Sequence, residues 1–210
     1  MIAYGPVPSR RLGRSLGINI IPPKHCTYSC TYCQVGRTSE MGIDRRSFFD
    51  PEKILADVRR HLKKTDEPVD FLTVVPDGEP TLDVYLGSAI EHLRSLKLPI
   101  AIISNGSLVD RLDVQHDLAQ ADWVSLKVDA VDEETWHKLN RPNRRHELPT
   151  IRAGKLDSAR SYNGELVTET MLVEGVNDRT GHLRGLAALL GRLKPSRAYL
   201  SIPTRPPAEQ

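Results

Sequence analysis

The sequence predicts an α/β fold built on parallel strands, and three observations carry that prediction. Short apolar runs alternate with longer segments whose apolar residues recur at helical spacing. Glycine, proline, asparagine and aspartate punctuate the joins. The alternation yields six strand-then-helix units, which imply parallel strands joined by right-handed crossovers.

The elements follow in order. Leu16 to Ile21 (LGINII) reads as a buried strand that Pro22 and Pro23 end, because proline neither continues a ladder nor enters a helix interior. The cysteine segment is then a loop at a strand's C-terminal end. Asp50-Pro51-Glu52 supplies an N-cap, a first-turn proline and an early acid, and Ile54, Leu55, Val58 and Leu62 mark a helix to about Lys64. Val69 to Val75 is a second strand, followed by the turn Pro76-Asp77-Gly78-Glu79-Pro80 and a helix from about Asp83 to Leu96. The unit repeats with a strand over Ile100 to Ile103, the turn Ser104-Asn105-Gly106, and a helix from about Val109 to Gln120. Trp123 to Val128 is the fourth strand, Asp132 to Leu139 a short helix, and Asn140-Arg141-Pro142-Asn143 a break. A helical segment from Pro149 to Tyr162 leads to a fifth strand, Glu165 to Val173; a helix from about Thr180 to Leu193 precedes the sixth, Ala198 to Ile202.

Strands this apolar must be covered by helices on at least one face, which leaves an open sheet or a full or partial barrel. In either arrangement the loops after the strands gather at one end, where ligand sites of α/β folds form. The cysteine loop, the Asp-Gly-Glu-Pro loop and the Ser-Asn-Gly loop all fall there.

A length of 210 residues fits one domain over 1–210, and 39% hydrophobic with 27% charged residues is a globular balance. No run approaches the roughly 18 apolar residues of a membrane span and no signal peptide opens the chain, so the expected location is cytoplasmic, with no membrane partner. The proline-rich exit Pro203-Thr204-Arg205-Pro206-Pro207 reads as a linker to a missing C-terminal extension. With 29 Lys plus Arg against 27 Asp plus Glu, the net charge of +2 does not mark a nucleic-acid binder.

All three cysteines lie between Cys26 and Cys33, which excludes a disulfide framework. The spacing Cys26-x3-Cys30-x2-Cys33 sets three thiolates on a compact loop able to hold three of the four irons of a cubane, leaving the fourth open to an outside ligand. A Cys3His zinc site using His25 or another histidine is the rival. It lacks the second ligand pair such sites carry, and three soft thiolates beside an open position suit iron–sulfur better.

The segment His25-Cys26-Thr27-Tyr28-Ser29-Cys30-Thr31-Tyr32-Cys33 resembles the CxxxCxxC motif of the radical S-adenosylmethionine (SAM) superfamily, including the aromatic residue before the last cysteine. The resemblance implies a (β/α)6 partial TIM barrel, one 4Fe-4S cluster on Cys26, Cys30 and Cys33, and SAM on the open iron. Reductive cleavage of SAM to methionine and a 5′-deoxyadenosyl radical, then hydrogen abstraction from a substrate, is the implied activity. Asp77-Gly78-Glu79-Pro80 is similar to the family's GGEP motif, with Asp77 departing from glycine, and Ser104-Asn105-Gly106 to its T-N-G turn. Tyr32, Asp77, Gly78, Glu79, Asn105, Ser125 and Lys127 are by this resemblance the SAM-binding residues, with Thr168 or Glu169 as a further contact. The implied partners are a reducing donor such as flavodoxin or ferredoxin and an unknown substrate, a tRNA base or another small molecule.

More narrowly, Tyr4 to Gly13, the run Asp77-Gly78-Glu79-Pro80-Thr81 and Ser201 to Pro207 resemble a wyosine-synthase-related group. Wyosine synthases themselves carry further cysteines for a second cluster, and this chain has none to spare. A glycyl-radical activating enzyme and a non-catalytic metal-binding or RNA-binding module are the alternatives.

Simpler roles exist for several of these residues. Glu79 can serve as a helix-entry acid, and Asn105-Gly106 is a common turn pair. Lys127, on an otherwise apolar strand, needs an anionic partner such as Asp129 or the SAM carboxylate unless it faces the helix layer. Arg10, Arg11 and Arg14, and separately Arg141, Arg144, Arg145 and His146, read as solvated basic clusters; Arg205 is a candidate for a substrate anion. His61, His92 and His137 read as surface residues.

Overall fold

The computed structural model describes residues 2–75 and 77–204; Pro76 and Arg205 lie outside the described residues. Strands β1 (Ala3–Ser9), β2 (Gly13–Ile18), β5 (Phe71–Val74), β6 (Ile100–Ser104), β7 (Trp123–Lys127), β8 (Glu165–Met171) and β9 (Arg197–Ser201) form one sheet in that spatial order. β1 pairs antiparallel with β2, and every other pair is parallel. Two further strands of two residues each, β3 (His25–Cys26) and β4 (Glu40–Met41), pair in parallel above it.

Consecutive parallel strands joined by right-handed crossovers place their helices on one face. Those helices are α1 (Pro51–Leu62), α2 (Leu86–Arg94), α3 (Leu112–Leu118), α4 (Glu133–Asn140), α5 (Leu148–Ser161) and α6 (Thr180–Leu193). On that face Leu16, Ile18, Leu72, Val74, Ile100 and Ile102 join Ile54 and Val58 of α1 and Leu86, Ile90 and Leu93 of α2 in one core. Each such side chain contributes roughly 1.5–3 kcal/mol by leaving water. The sheet's other face carries Leu12, Ala101, Trp123 and Val167, packed with Phe71, Ile103 and Tyr199.

That second cluster proves that the sheet curls. In a flat sheet β2 and β9 would stand about 24 Å apart, five strand spacings. Yet Arg11, in the β1–β2 turn, ion-pairs with Glu169 of β8, donates to Ser201 Oγ of β9 at 3.2 Å, and stacks 4.2 Å over the Tyr199 ring. The two edges are therefore drawn together around a filled interior, with β1 and β9 unpaired to each other. Arg11 is thus an inward residue, not part of a solvated basic cluster.

Local signals acted as expected at two helix starts. Asp50 caps α1 by accepting from Glu52 N at 2.9 Å, with Pro51 in the first turn. Asp132 caps α4 at Thr135 N, 2.8 Å, and Arg141 in the left-handed region ends it. The first parallel strand runs over Gly13–Ile18, not Leu16 to Ile21, and helix α2 starts at Leu86 after a 3-10 turn, Pro80–Leu82. β1 was not expected, since it contains Pro6 and Pro8. Proline is tolerated there because β1 is an edge strand.

Candidate metal centre and cofactor site

The cysteine loop is strapped on two sides by backbone hydrogen bonds. On one side Lys24 N donates to Asp77 O (2.8 Å), Glu79 N to His25 O (3.0 Å), and Gly42 N to Cys26 O (3.3 Å). Gly78 is required for this approach, because a methyl group there would collide with the His25 carbonyl. On the other side Ser29 N reaches Asn140 O (3.1 Å), Thr31 N reaches Leu139 O (2.9 Å), and Asn143 N reaches Thr27 O (2.9 Å).

Each side is organised by a buried carboxylate. Glu79, 1% exposed, accepts from Thr81 N (3.1 Å), Thr81 Oγ1 (2.7 Å), Ser104 Oγ (2.6 Å) and Asn105 N (2.7 Å). Burial pushes its pKa up, and these four donors oppose the shift. Glu79 does cap the 3-10 turn, as the simpler reading held, and it also ties the loop after β5 to the loop after β6. Asn105 passes the link on, donating from Nδ2 to Thr27 Oγ1 (2.8 Å) and toward Cys26 Sγ (3.7 Å). Ser107 Oγ donates to the same Thr27 hydroxyl at 2.7 Å.

Opposite, Asp129 accepts from Met171 N (2.7 Å), from Asn140 Nδ2 (2.9 Å) and from the Tyr32 hydroxyl. Asn140 Nδ2 also lies 3.4 Å from Cys30 Sγ. Asn177 holds the same corner, donating to Asp129 O and Met171 O, both at 2.9 Å.

Lys127 faces the interior, not the helix layer. Its Nζ donates to Glu169 at 3.2 Å, lies 3.8 Å from Asp129, and sits 4.9 Å over the Tyr32 ring. Burial lowers its pKa, but the neighbouring carboxylates win and the net shift is upward, so it stays charged. Ser125 lies two residues earlier on β7, and its buried Oγ has no partner. Asp77 is exposed and exchanges its side-chain bond with Asn19 (3.2 Å), so its contribution to the loop is its backbone carbonyl.

Eight of the predicted positions thus meet around the cysteine loop: the three cysteines, Gly78, Glu79, Asn105, Tyr32 and, beneath Tyr32, Lys127. Sequence reasoning missed Thr27, Asn140 and the central part played by Asp129. It also missed Lys155 of α5, buried, whose Nζ donates to Lys127 O at 2.6 Å. Burial pushes that lysine down to about 8 against the attraction of Asp129 and Glu79.

The thiols are chemically constrained. Burial first, and Glu79 second, push the Cys26 thiol far up; burial also pushes Cys30 up to about 11 against the Asn140 hydrogen bond. A cation is needed to hold thiolates there. Among the described residues no three His, Cys, Asp or Glu side chains converge on a single-ion position. His25 packs edge-on against Phe48 instead. Three free, half-buried thiols on one loop fit a polynuclear cluster, whose irons meet separate ligands. The unpartnered Ser125 Oγ fits a polar ligand alongside.

A family model for the radical SAM superfamily matches residues 20–186. The chain belongs to that superfamily, whose enzymes work with a 4Fe-4S cluster and SAM. Within it, the chain is 48% identical over 210 residues to the UPF0026 protein MJ1312 of Methanocaldococcus jannaschii, all of this chain and 65% of that one. It is 34% identical over 209 residues to a UPF0026 protein of Helicobacter pylori strain J99, 98% of this chain and 67% of that one. The chain therefore spans about two thirds of the length of these relatives. Among solved structures, TYW1 with a lysine-pyruvate adduct bound superposes with a TM-score of 0.67 at 20% identity, covering 90% of this chain and 64% of that one. That likeness is one of fold, and it bears out the partial barrel. Among the described residues no helix is long and apolar enough to cross a membrane.

Proposed function

We propose that residues 1–210 form a single radical SAM core domain that cleaves SAM reductively at a 4Fe-4S cluster on Cys26, Cys30 and Cys33 and abstracts hydrogen from a substrate. The observation that carries this reading is the loop of three free thiols, held from both sides by backbone hydrogen bonds. When bound, the cluster and SAM together supply one-electron cleavage of a sulfonium and a hydrogen-abstracting carbon centre.

The chain's own residues do the holding. Gly78 lets the loop after β5 meet the cysteine loop backbone to backbone, and Glu79 locks that contact. Asn105 and Thr27 orient Cys26, while Tyr32 and Lys127 face the interior below. Ser125 Oγ offers an unused donor and acceptor to a ribose hydroxyl. Asp77 contributes through its backbone, and Lys127 is the cation available to a carboxylate.

The electron comes, in this reading, from a small reducing protein such as flavodoxin or ferredoxin in the cytoplasm. In the two basic clusters, Arg11 and Arg145 are engaged by Glu169 and Asp44, so these two arginines lend a tRNA substrate no support.

Anaerobic reconstitution tests the proposal. The wild type should hold about four irons per chain and release 5′-deoxyadenosine from SAM under dithionite, and Cys30→Ala should lose both. A chain that takes up only zinc would overturn it.

A further inference from the structure

The carboxamide of Asn140 is placed as a donor to one sulfur of the cysteine loop, and nothing in the superfamily motif accounts for it. Asn140 is the last residue of α4 and is 3% exposed. Its Nδ2 lies 2.9 Å from Asp129 Oδ2, 3.4 Å from Cys30 Sγ and 3.3 Å from the Tyr32 hydroxyl. An amide nitrogen carries two hydrogens. One is claimed by the Asp129 carboxylate, the strongest acceptor present. The other is directed between the sulfur and the Tyr32 hydroxyl, which donates to Asp129 and lies within hydrogen-bonding reach of the same sulfur.

The orientation is set by neighbouring hydrogen bonds. Asp129 Oδ1 is fixed by the backbone N–H of Met171 in β8, at 2.7 Å. The Asn140 carbonyl oxygen of the main chain accepts from Ser29 N, one residue before Cys30. The side-chain amide is therefore held toward the sheet by Asp129, while the Asn140 backbone is tied to the ligand loop. Cys26 has a longer 3.7 Å side-chain contact from Asn105 and a backbone hydrogen bond from Tyr28. The two cysteines consequently sit in unequal surroundings.

We infer that Asn140 is a positioning residue that raises the reduction potential of the cluster by donating a hydrogen bond to the Cys30 sulfur. This inference rests on the proposed cluster. The physical reason is that reduction adds negative charge to the cluster and its sulfurs, so a hydrogen bond to sulfur favours the reduced form over the oxidised one. Asp129 and Tyr32 act through Asn140 by fixing which way the amide points, as outer partners of metal ligands generally do.

The test is an EPR-monitored redox titration of the anaerobically reconstituted chain, beside Asn140→Leu, which keeps the volume and removes the donor, and Asn140→Ser, whose hydroxyl is too short to reach the sulfur. Iron and sulfide are counted first. A wild type without a cluster would fail the proposed function itself and is thereby separated from the inference. With clusters intact, both variants should show about a tenfold higher oxidised-to-reduced ratio at a given poise, a potential lower by about 59 mV for one electron. A full cluster with an unchanged ratio overturns the inference. Should neither variant take up iron, the wild type decides: protein labelled with side-chain nitrogen-15 asparagine should show nitrogen coupling to the reduced cluster that vanishes from a chain in which Asn105 alone carries label. Coupling that persists undiminished in that sample, or is absent from both, overturns the assignment.

Discussion

The two flanks of the cysteine loop solve one problem with different material. On the flank of β5 and β6, Glu79 collects four donors from Thr81, Ser104 and Asn105. On the flank of β7 and β8, Asp129 collects donors from Tyr32, Asn140 and Met171. Each carboxylate is buried, and each ends in an asparagine amide beside a cysteine sulfur. The first flank is assembled from two short loops, the second from residues scattered between positions 32 and 177. The lesson is that a sequence motif marks only the half of a site whose contacts are local.

If the flanks are equivalent in strength, removing either carboxylate should cost most. Glu79→Ala and Asp129→Ala each strand several buried donors, and each is expected to lower unfolding free energy by about 3–5 kcal/mol, read from urea denaturation. A loss below about 1 kcal/mol at one position would break the comparison there.

Next comes the contact between loops. Gly78→Ala drives a methyl into the His25 carbonyl and should cost about 1–3 kcal/mol, with reduced iron retention on gel filtration as a second readout.

Isosteric changes should then separate the flanks. Two of the four donors on Glu79 are backbone N–H groups that cannot reverse, whereas the partners of Asp129 include a hydroxyl and an amide that can. Glu79→Gln should therefore cost about 2 kcal/mol and Asp129→Asn about 1 kcal/mol, measured in the same denaturation series. Equal costs would show that the partners of Asp129 are as fixed as those of Glu79.

A pH-dependent effect concerns Lys155, whose charge is attracted by both carboxylates. Its folded pKa is depressed to about 8 from 10.5, so between those values the folded chain has released a proton that the unfolded chain keeps. Stability should accordingly rise with pH across that window, and Lys155→Met should flatten this contribution. A variant with the wild-type slope would sever Lys155 from the pair.

Much of the fold was legible because its signals are local. All six parallel strands and the helices between them follow from apolar period and turn residues, with boundaries shifted by a few positions. β1 was illegible because Pro6 and Pro8 argue against a strand, and only its place at the sheet edge permits one. In the site, Glu79 and Asn105 stand beside strand ends in recognisable turns. Asn140 lies in Asn-Arg-Pro-Asn, where its residue type reads as a helix stop, which it also is. Its bond to Cys30 spans 110 positions, and no local pattern encodes that distance. Lys155 was equally hidden: one cationic residue in a helix looks solvated until packing buries it.

The strapping of the loop has a consequence for biogenesis. The three thiols emerge early in synthesis, whereas the backbone of 139–143 that clasps Thr27, Ser29 and Thr31 emerges more than a hundred residues later. A nascent chain thus displays its sulfurs bare and reactive before their enclosure exists. Until the end of α4 and the loop after it have formed, the thiols lack that clasp and are open to oxidation.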